Sequence, residues 1–164
     1  MTLFTQDFWK ICNFNLYPYG NAKRTKNGDT WNFTCQHGVR ECEGNIIETC
    51  ALKLNADAFD TKALPFIICL ESSTNDWNAQ GKKCATQVGI SWDDITACTK
   101  SKQGNDWQVE LAVATETLVP AHTYVPWVVV NKQHSSSSES AVISNMVRYV
   151  CSIYKGSVKI DACK

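Results

Sequence analysis

Cys35-Gln36-His37-Gly38-Val39-Arg40-Glu41-Cys42-Glu43-Gly44-Asn45-Ile46-Ile47-Glu48-Thr49-Cys50 sets three cysteines against a Gln-His-Gly turn and one asparagine within sixteen residues. Cys35, His37, Cys42 and Cys50 are four donors of the kind that hold zinc, but their spacing fits no common zinc module and contains no compact Cys-x2-Cys knuckle. The block therefore reads as part of a disulfide framework with no metal. His37 reads as a loop residue that bonds backbone near a helix start, and His122 and His134 are read the same way.

Nine cysteines in 164 residues exceed what a cytosolic chain usually carries and point to disulfides formed in an oxidising compartment. Cys35, Cys42, Cys50, Cys69, Cys84, Cys98, Cys151 and Cys163 are expected to be paired, leaving Cys12. Eight cysteines allow 105 pairings. Short separation favours Cys151–Cys163 and Cys84–Cys98, so that Cys35, Cys42, Cys50 and Cys69 pair among themselves. Asn32-Phe33-Thr34 is a glycosylation sequon, which agrees with a secretory route and marks Asn32 as the acceptor.

Sixteen Lys and Arg balance sixteen Asp and Glu, so no net charge draws the chain to nucleic acid or an anionic membrane. The longest apolar runs, around residues 65–70 and 125–130, fall short of the roughly 20 residues that span a bilayer. With 44% hydrophobic residues and six Trp, residues 1–164 read as one soluble domain with an ordinary core. Residues 1–10 carry no basic segment followed by an apolar run, so no signal peptide is expected there.

Leu3, Phe4, Phe8, Trp9 and Cys12 lie near helical spacing and predict the tail of a helix. Residues 13–19 alternate around Phe14 and Leu16 and predict a strand that stops at Pro18-Tyr19-Gly20-Asn21. Lys23-Arg24-Thr25-Lys26 reads as a solvated turn. Asn27-Gly28-Asp29 marks a tight turn, after which Thr30–Thr34 is expected to pair as a second strand. From Gly38 to about Leu118 the pattern is helical, with a cap at Ser91-Trp92-Asp93-Asp94 and a face made by Trp107, Leu111, Ala114 and Leu118. Residues 124–131, Tyr-Val-Pro-Trp-Val-Val-Val-Asn, have the composition of a buried strand with Pro126 near its start. A polar loop over 133–140 precedes a helical stripe of Val142, Ile143, Met146, Val147, Val150 and Tyr154 that is expected to end at Gly156.

At each of its fixed positions the cysteine block resembles the pattern C-Q-H-G-x2-E-C-x2-N-x4-C of the gamma-interferon-inducible lysosomal thiol reductase family. Cys35, Gln36, His37, Gly38, Glu41, Cys42, Asn45 and Cys50 carry it. Similarity continues through Pro18-Tyr19-Gly20-Asn21-Ala22-Lys23, residues 122–131 and the closing Cys151 and Cys163. The resemblance implies an α/β, thioredoxin-like fold with an all-helical insertion over about 38–118. It implies thiol-disulfide oxidoreduction, the reduction of disulfide-bonded protein substrates in a lysosomal or secreted setting, with no cofactor. Val125-Pro126 looks like the family's cis-proline, whose loop faces the redox pair and offers backbone to an extended substrate.

That chemistry needs a Cys-x-x-Cys, and none occurs in this chain. The first cysteine of such a pair sits at a helix N-terminus, where the dipole lowers its pKa; an ordinary thiol near ~8.5 stays protonated at lysosomal pH. Cys12 lies at the far end of its helix, where the dipole favours the neutral thiol. The resemblance places the pair, the first strand and the start of the first helix upstream of Met1. Without that inner strand, residues 13–19 and 125–130 would present unpaired edges at about 1–3 kcal/mol per buried unsatisfied group. The expectation is a family member that does not itself catalyse reduction; the alternative is a non-catalytic secreted protein-interaction module on the same scaffold.

Overall fold

The computed structural model describes residues 6–73 and 76–164, so Leu3 and Phe4 of the expected first helix lie outside them. It is a mixed, mainly helical chain that divides into two compact units, Tyr17–Leu118 and Met1–Leu16 with Val119–Lys164. No helix among the described residues is long and apolar enough to cross a membrane.

In the first unit, strands β1 (Lys23–Asn27) and β2 (Thr30–Thr34) form an antiparallel hairpin closed by Asn27 opposite Thr30. Gly28 opens the two-residue loop at φ 58°, a conformation that costs glycine nothing. The basic run Lys23-Arg24-Thr25-Lys26 is therefore a strand, not a solvated turn. A strand asks only for backbone partners, and the charges find their own, since the Arg24 guanidinium lies 4.5 Å over the Trp31 ring. Residues 13–17 do alternate half-buried and exposed, yet they belong to neither sheet. The alternation fixes where side chains face, but pairing needs a second backbone alongside, and the expected strand there does not form.

Five helices follow: α1 (Val39–Leu54), α2 (Leu64–Glu71), α3 (Trp77–Val88), α4 (Trp92–Thr99) and α5 (Lys102–Glu116). Several starts are written in the sequence. Asp76 accepts from the amides of Asn78 and Ala79, Ser91 from Asp94 and Ser101 from Gly104, each cap worth about 1 kcal/mol. Cys50–Cys98 ties α1 to α4 and Cys69–Cys84 ties α2 to α3, so Cys84–Cys98, expected from short separation, does not form. Separation measures the entropy of closing a loop, whereas helix packing decides which sulfurs meet.

On α5 the buried positions are Gly104, Gln108, Ala112 and Thr115, while Trp107, Leu111, Ala114 and Leu118 are only half-buried. Gln108 takes a core place because both ends of its amide are satisfied. Its Oε1 accepts from Thr49 at 2.7 Å and its Nε2 donates to the Pro18 carbonyl at 2.8 Å. Asn105 clips β2 from the side, accepting from the Trp31 amide at 2.9 Å and donating to its carbonyl at 2.7 Å.

The second unit has a small core around Phe8 and Ile160. A 3-10 turn at Gln6–Lys10 stands where the helical tail is expected, and a second, Asp161–Cys163, is held to it by the Asp161 amide donating to Asp7 at 2.9 Å. Strands β3 (Val129–Val130) and β4 (Gln133–His134) make a hairpin whose two loop residues, Asn131 and Lys132, both have positive φ. Helix α6 (Ser136–Ile153) breaks at Asn145, whose side-chain Oδ1 caps the second segment by accepting from the Arg148 amide. Thus 133–140 is a strand and a helix start, not a loop. The helix stops at Ile153, before Gly156. Cys151–Cys163 closes this unit as expected.

Candidate functional site

The sixteen-residue block is built as a clasp between hairpin and helix. Gly38 caps α1 at φ 90°, ψ −166°, a region essentially reserved for glycine. Cys35 and Cys42 on either side of it are disulfide-bonded. Asn45, nearly two turns into α1, points its Nδ2 at the Tyr19 carbonyl at 3.5 Å and at Cys35 Sγ at 3.8 Å. Gln36 accepts from Asn21 at 2.7 Å. Glu41 receives both the His37 amide at 2.7 Å and the His37 ring at 2.9 Å, so the ring meets a carboxylate and not backbone as expected. With Cys35–Cys42 and Cys50–Cys98 bonded, no thiolate of this block remains for a metal. Cys35, Cys42 and Asn45 line an open cavity of about 350 Å³ shared with Tyr19, Trp31 and Phe33.

Behind the clasp, the Tyr19 hydroxyl donates to Glu116 at 2.7 Å and Arg24 forks onto the same carboxylate, with its shortest contact at 2.8 Å. The Arg24 guanidinium, then the Tyr19 hydroxyl, hold Glu116 below the usual carboxylate range against its own burial. Asn32 and Thr34 of the sequon are exposed on β2, which leaves the Asn32 amide open to a glycan.

The second candidate is the loop around Val125-Pro126, whose peptide bond is cis, as is that of Val119-Pro120, which no sequence signal marks. One carboxylate organises it. Glu139, in the first turn of α6 and 7% exposed, accepts from the Tyr124 hydroxyl at 2.8 Å and from the Val128 amide at 2.9 Å. His134 holds the Val128 carbonyl at 2.9 Å, which requires the proton on Nδ1, and its ring stacks on Trp127 with centroids 3.5 Å apart. The Val128 amide, then the Tyr124 hydroxyl and His134, keep Glu139 below the ordinary carboxylate range. Among the described residues, the Trp127 indole nitrogen is buried without a partner.

Val125 itself is 48% exposed, and no hydrogen bond among the described residues uses its backbone. Sequence reasoning marks Val125 and Pro126 and expects His134 to bond backbone near a helix start, as it does at Val128, but misses Tyr124, Trp127 and Glu139. The available signal was a serine run followed by Glu139, the composition of a helix start. Cys12 is the free cysteine among the described residues; it is half-buried, and burial pushes its thiol up.

The family described as gamma interferon inducible lysosomal thiol reductase matches residues 1–88. The chain is 37% identical over 158 residues to the gamma-interferon-inducible lysosomal thiol reductase of Carassius auratus, covering 93% of this chain and 59% of that protein. It is 36% identical over 157 residues to the protein of that name from Mus musculus, covering 94% and 59%. It is 31% identical over 158 residues to the gamma-interferon-responsive lysosomal thiol protein of Arabidopsis thaliana, covering 96% and 63%. The chain thus spans about three-fifths of the length of these relatives.

Proposed function

This chain belongs to the gamma-interferon-inducible lysosomal thiol reductase family, and from that premise we propose that its residues form the protein-docking part of a thioredoxin-like, lysosomal thiol reductase without performing the redox step themselves. The Val125 backbone carries the reading. Val125 is half-exposed, no hydrogen bond among the described residues uses its backbone, and the loop around it is closed on both sides, which suits an extended polypeptide that docks by backbone hydrogen bonds. The substrate class is a disulfide-bonded protein, unfolded enough to present such a segment.

The redox step is assigned elsewhere for a chemical reason. Attack on a disulfide requires a thiolate and a resolving thiol beside it. Eight of the nine cysteines are consumed in four disulfides. The ninth, Cys12, is held protonated by burial. On this reading a nucleophilic pair is not among the described cysteines. The same facts favour a non-catalytic, secreted interaction module as the second reading, which shares the docking surface and differs only in having no pair at all.

Insulin reduction by the 164-residue chain, measured at acidic and neutral pH, is expected not to exceed the buffer rate. Turnover that persists in Cys12→Ser would mean that a disulfide of the 35–50 block exchanges in catalysis, and the proposal would be abandoned.

A further inference from the structure

Tyr124 and Val128 stand four residues apart on either side of Pro126, and the two oxygens of one carboxylate bridge them. Oε1 of Glu139 takes the Tyr124 hydroxyl and Oε2 takes the Val128 amide, at 2.8 and 2.9 Å. The Val128 carbonyl is taken from the other side by His134. Both polar groups of Val128 are thus spent on side chains rather than on a neighbouring strand. Glu139 is itself fixed, because α6 begins immediately before it with Ser135 as cap, and its backbone amide donates to the Ser135 carbonyl at 3.0 Å. Its position in the first turn also places its charge at the positive end of the helix dipole. These contacts arrest the loop at residues 124 and 128 and leave Val125 between them exposed.

We propose that Glu139 is the positioning residue of the substrate-docking loop, a buckle that pre-shapes residues 124–128 for an extended polypeptide, with Tyr124 and His134 as its supports. The inference rests on the docking reading above and adds to it the group that sets the loop's geometry. Ordering a free loop on binding would cost about 1–2 kcal/mol of backbone entropy per residue. A loop already buckled is spared that cost, so the benefit falls on affinity more than on stability.

The probe is reduced, carboxymethylated insulin B chain, an extended polypeptide with no thiol to exchange, titrated into isotope-labelled full chain and followed by amide chemical shifts. Wild type is expected to bind at Val125. Glu139→Gln keeps one acceptor oxygen and turns an NH2 toward a donor. It is expected to shift the Val128 amide and weaken binding about tenfold, the factor for one lost charge-assisted hydrogen bond. Tyr124→Phe, which removes one hydroxyl and cannot disturb folding broadly, is expected to weaken it about threefold. Val125→Asp lies outside the buckle and is expected to abolish binding with the Val128 amide unmoved.

If Val125→Asp abolishes binding while Glu139→Gln and Tyr124→Phe bind like wild type, the buckle is overturned and the docking reading stands. If Glu139→Gln does not fold, equal affinity of Tyr124→Phe and wild type overturns it alone. If wild type fails to bind the probe at all, the docking reading falls and takes this one with it.

Discussion

Glu139 in the unit formed by the chain ends and Glu48 on α1 of the helical unit are both partly or wholly withdrawn from water, and their pKa values move in opposite directions. Around Glu139 a backbone amide and a phenol donate and the His134 ring lies 3.8 Å away, so its pKa is held below the ordinary range. Around Glu48 burial comes first, and the charged group that bears on it is another carboxyl, Glu71, so its pKa is pushed well above the ordinary range. Glu116 lies in the same unit as Glu48 yet follows Glu139, because Arg24 and Tyr19 supply donors. The supply of donors, rather than depth or the unit a residue belongs to, sets the sign.

The comparison is broken most strongly through the covalent frame of the helical unit. Cys50–Cys98 encloses 48 positions and Cys151–Cys163 only 12. Chain entropy then assigns about 4 kcal/mol to the first and about 3 kcal/mol to the second. Denaturant unfolding of Cys50→Ala/Cys98→Ala and Cys151→Ala/Cys163→Ala should return losses in that order; the reverse order would show that the terminal unit depends more on its staple than its small core suggests.

Gly38→Ala comes next. Nothing lies within 4 Å of the added Cβ, so the loss is backbone strain alone, about 1–3 kcal/mol. An unchanged melting temperature would mean that the clasp relaxes and that Gly38 is not what fixes the entry to α1.

The smallest effects are the ones whose sign decides the argument. Glu48 has a folded pKa above its unfolded value of about 4.3. Its contribution is fully present below that pH and is lost as pH rises through the folded value. Glu139 has a depressed folded pKa, so its contribution is present above about 4.3 and is lost as pH falls through the folded value. Melting curves against pH should therefore show Glu48→Gln gaining on wild type toward neutral pH, and Glu139→Gln losing to it there and converging in acid. Parallel curves for the two variants would remove the distinction drawn above.

Much of the helical unit was legible from residue types alone. Ser91 announces α4, and the fixed residues of the 35–50 block each meet a local need, for a left-handed cap, an amide partner or a sulfur partner. What was illegible depends on neighbours. Lys23-Arg24-Thr25-Lys26 reads as solvent-exposed whether it turns or pairs, and only the hairpin decides. Gln108 reads as surface until Thr49 and Pro18 close on its amide. The loop at residues 124–128 suffers most from this limit. Val125 and Pro126 advertise themselves through the resemblance, whereas Glu139 and His134 lie in a serine-rich stretch that looks like a loop and act only through the fold that brings them back.

The clip from Asn105 onto Trp31 has a consequence for solubility in company. A two-stranded ribbon ordinarily leaves its outer rim ready to template a passing chain. Here one side-chain amide imitates a single rung of a further strand, taking the Trp31 N–H and C=O together. Register cannot propagate past a rung that is already occupied. Amid concentrated unfolded protein, such a plug works against strand addition at that rim of the hairpin.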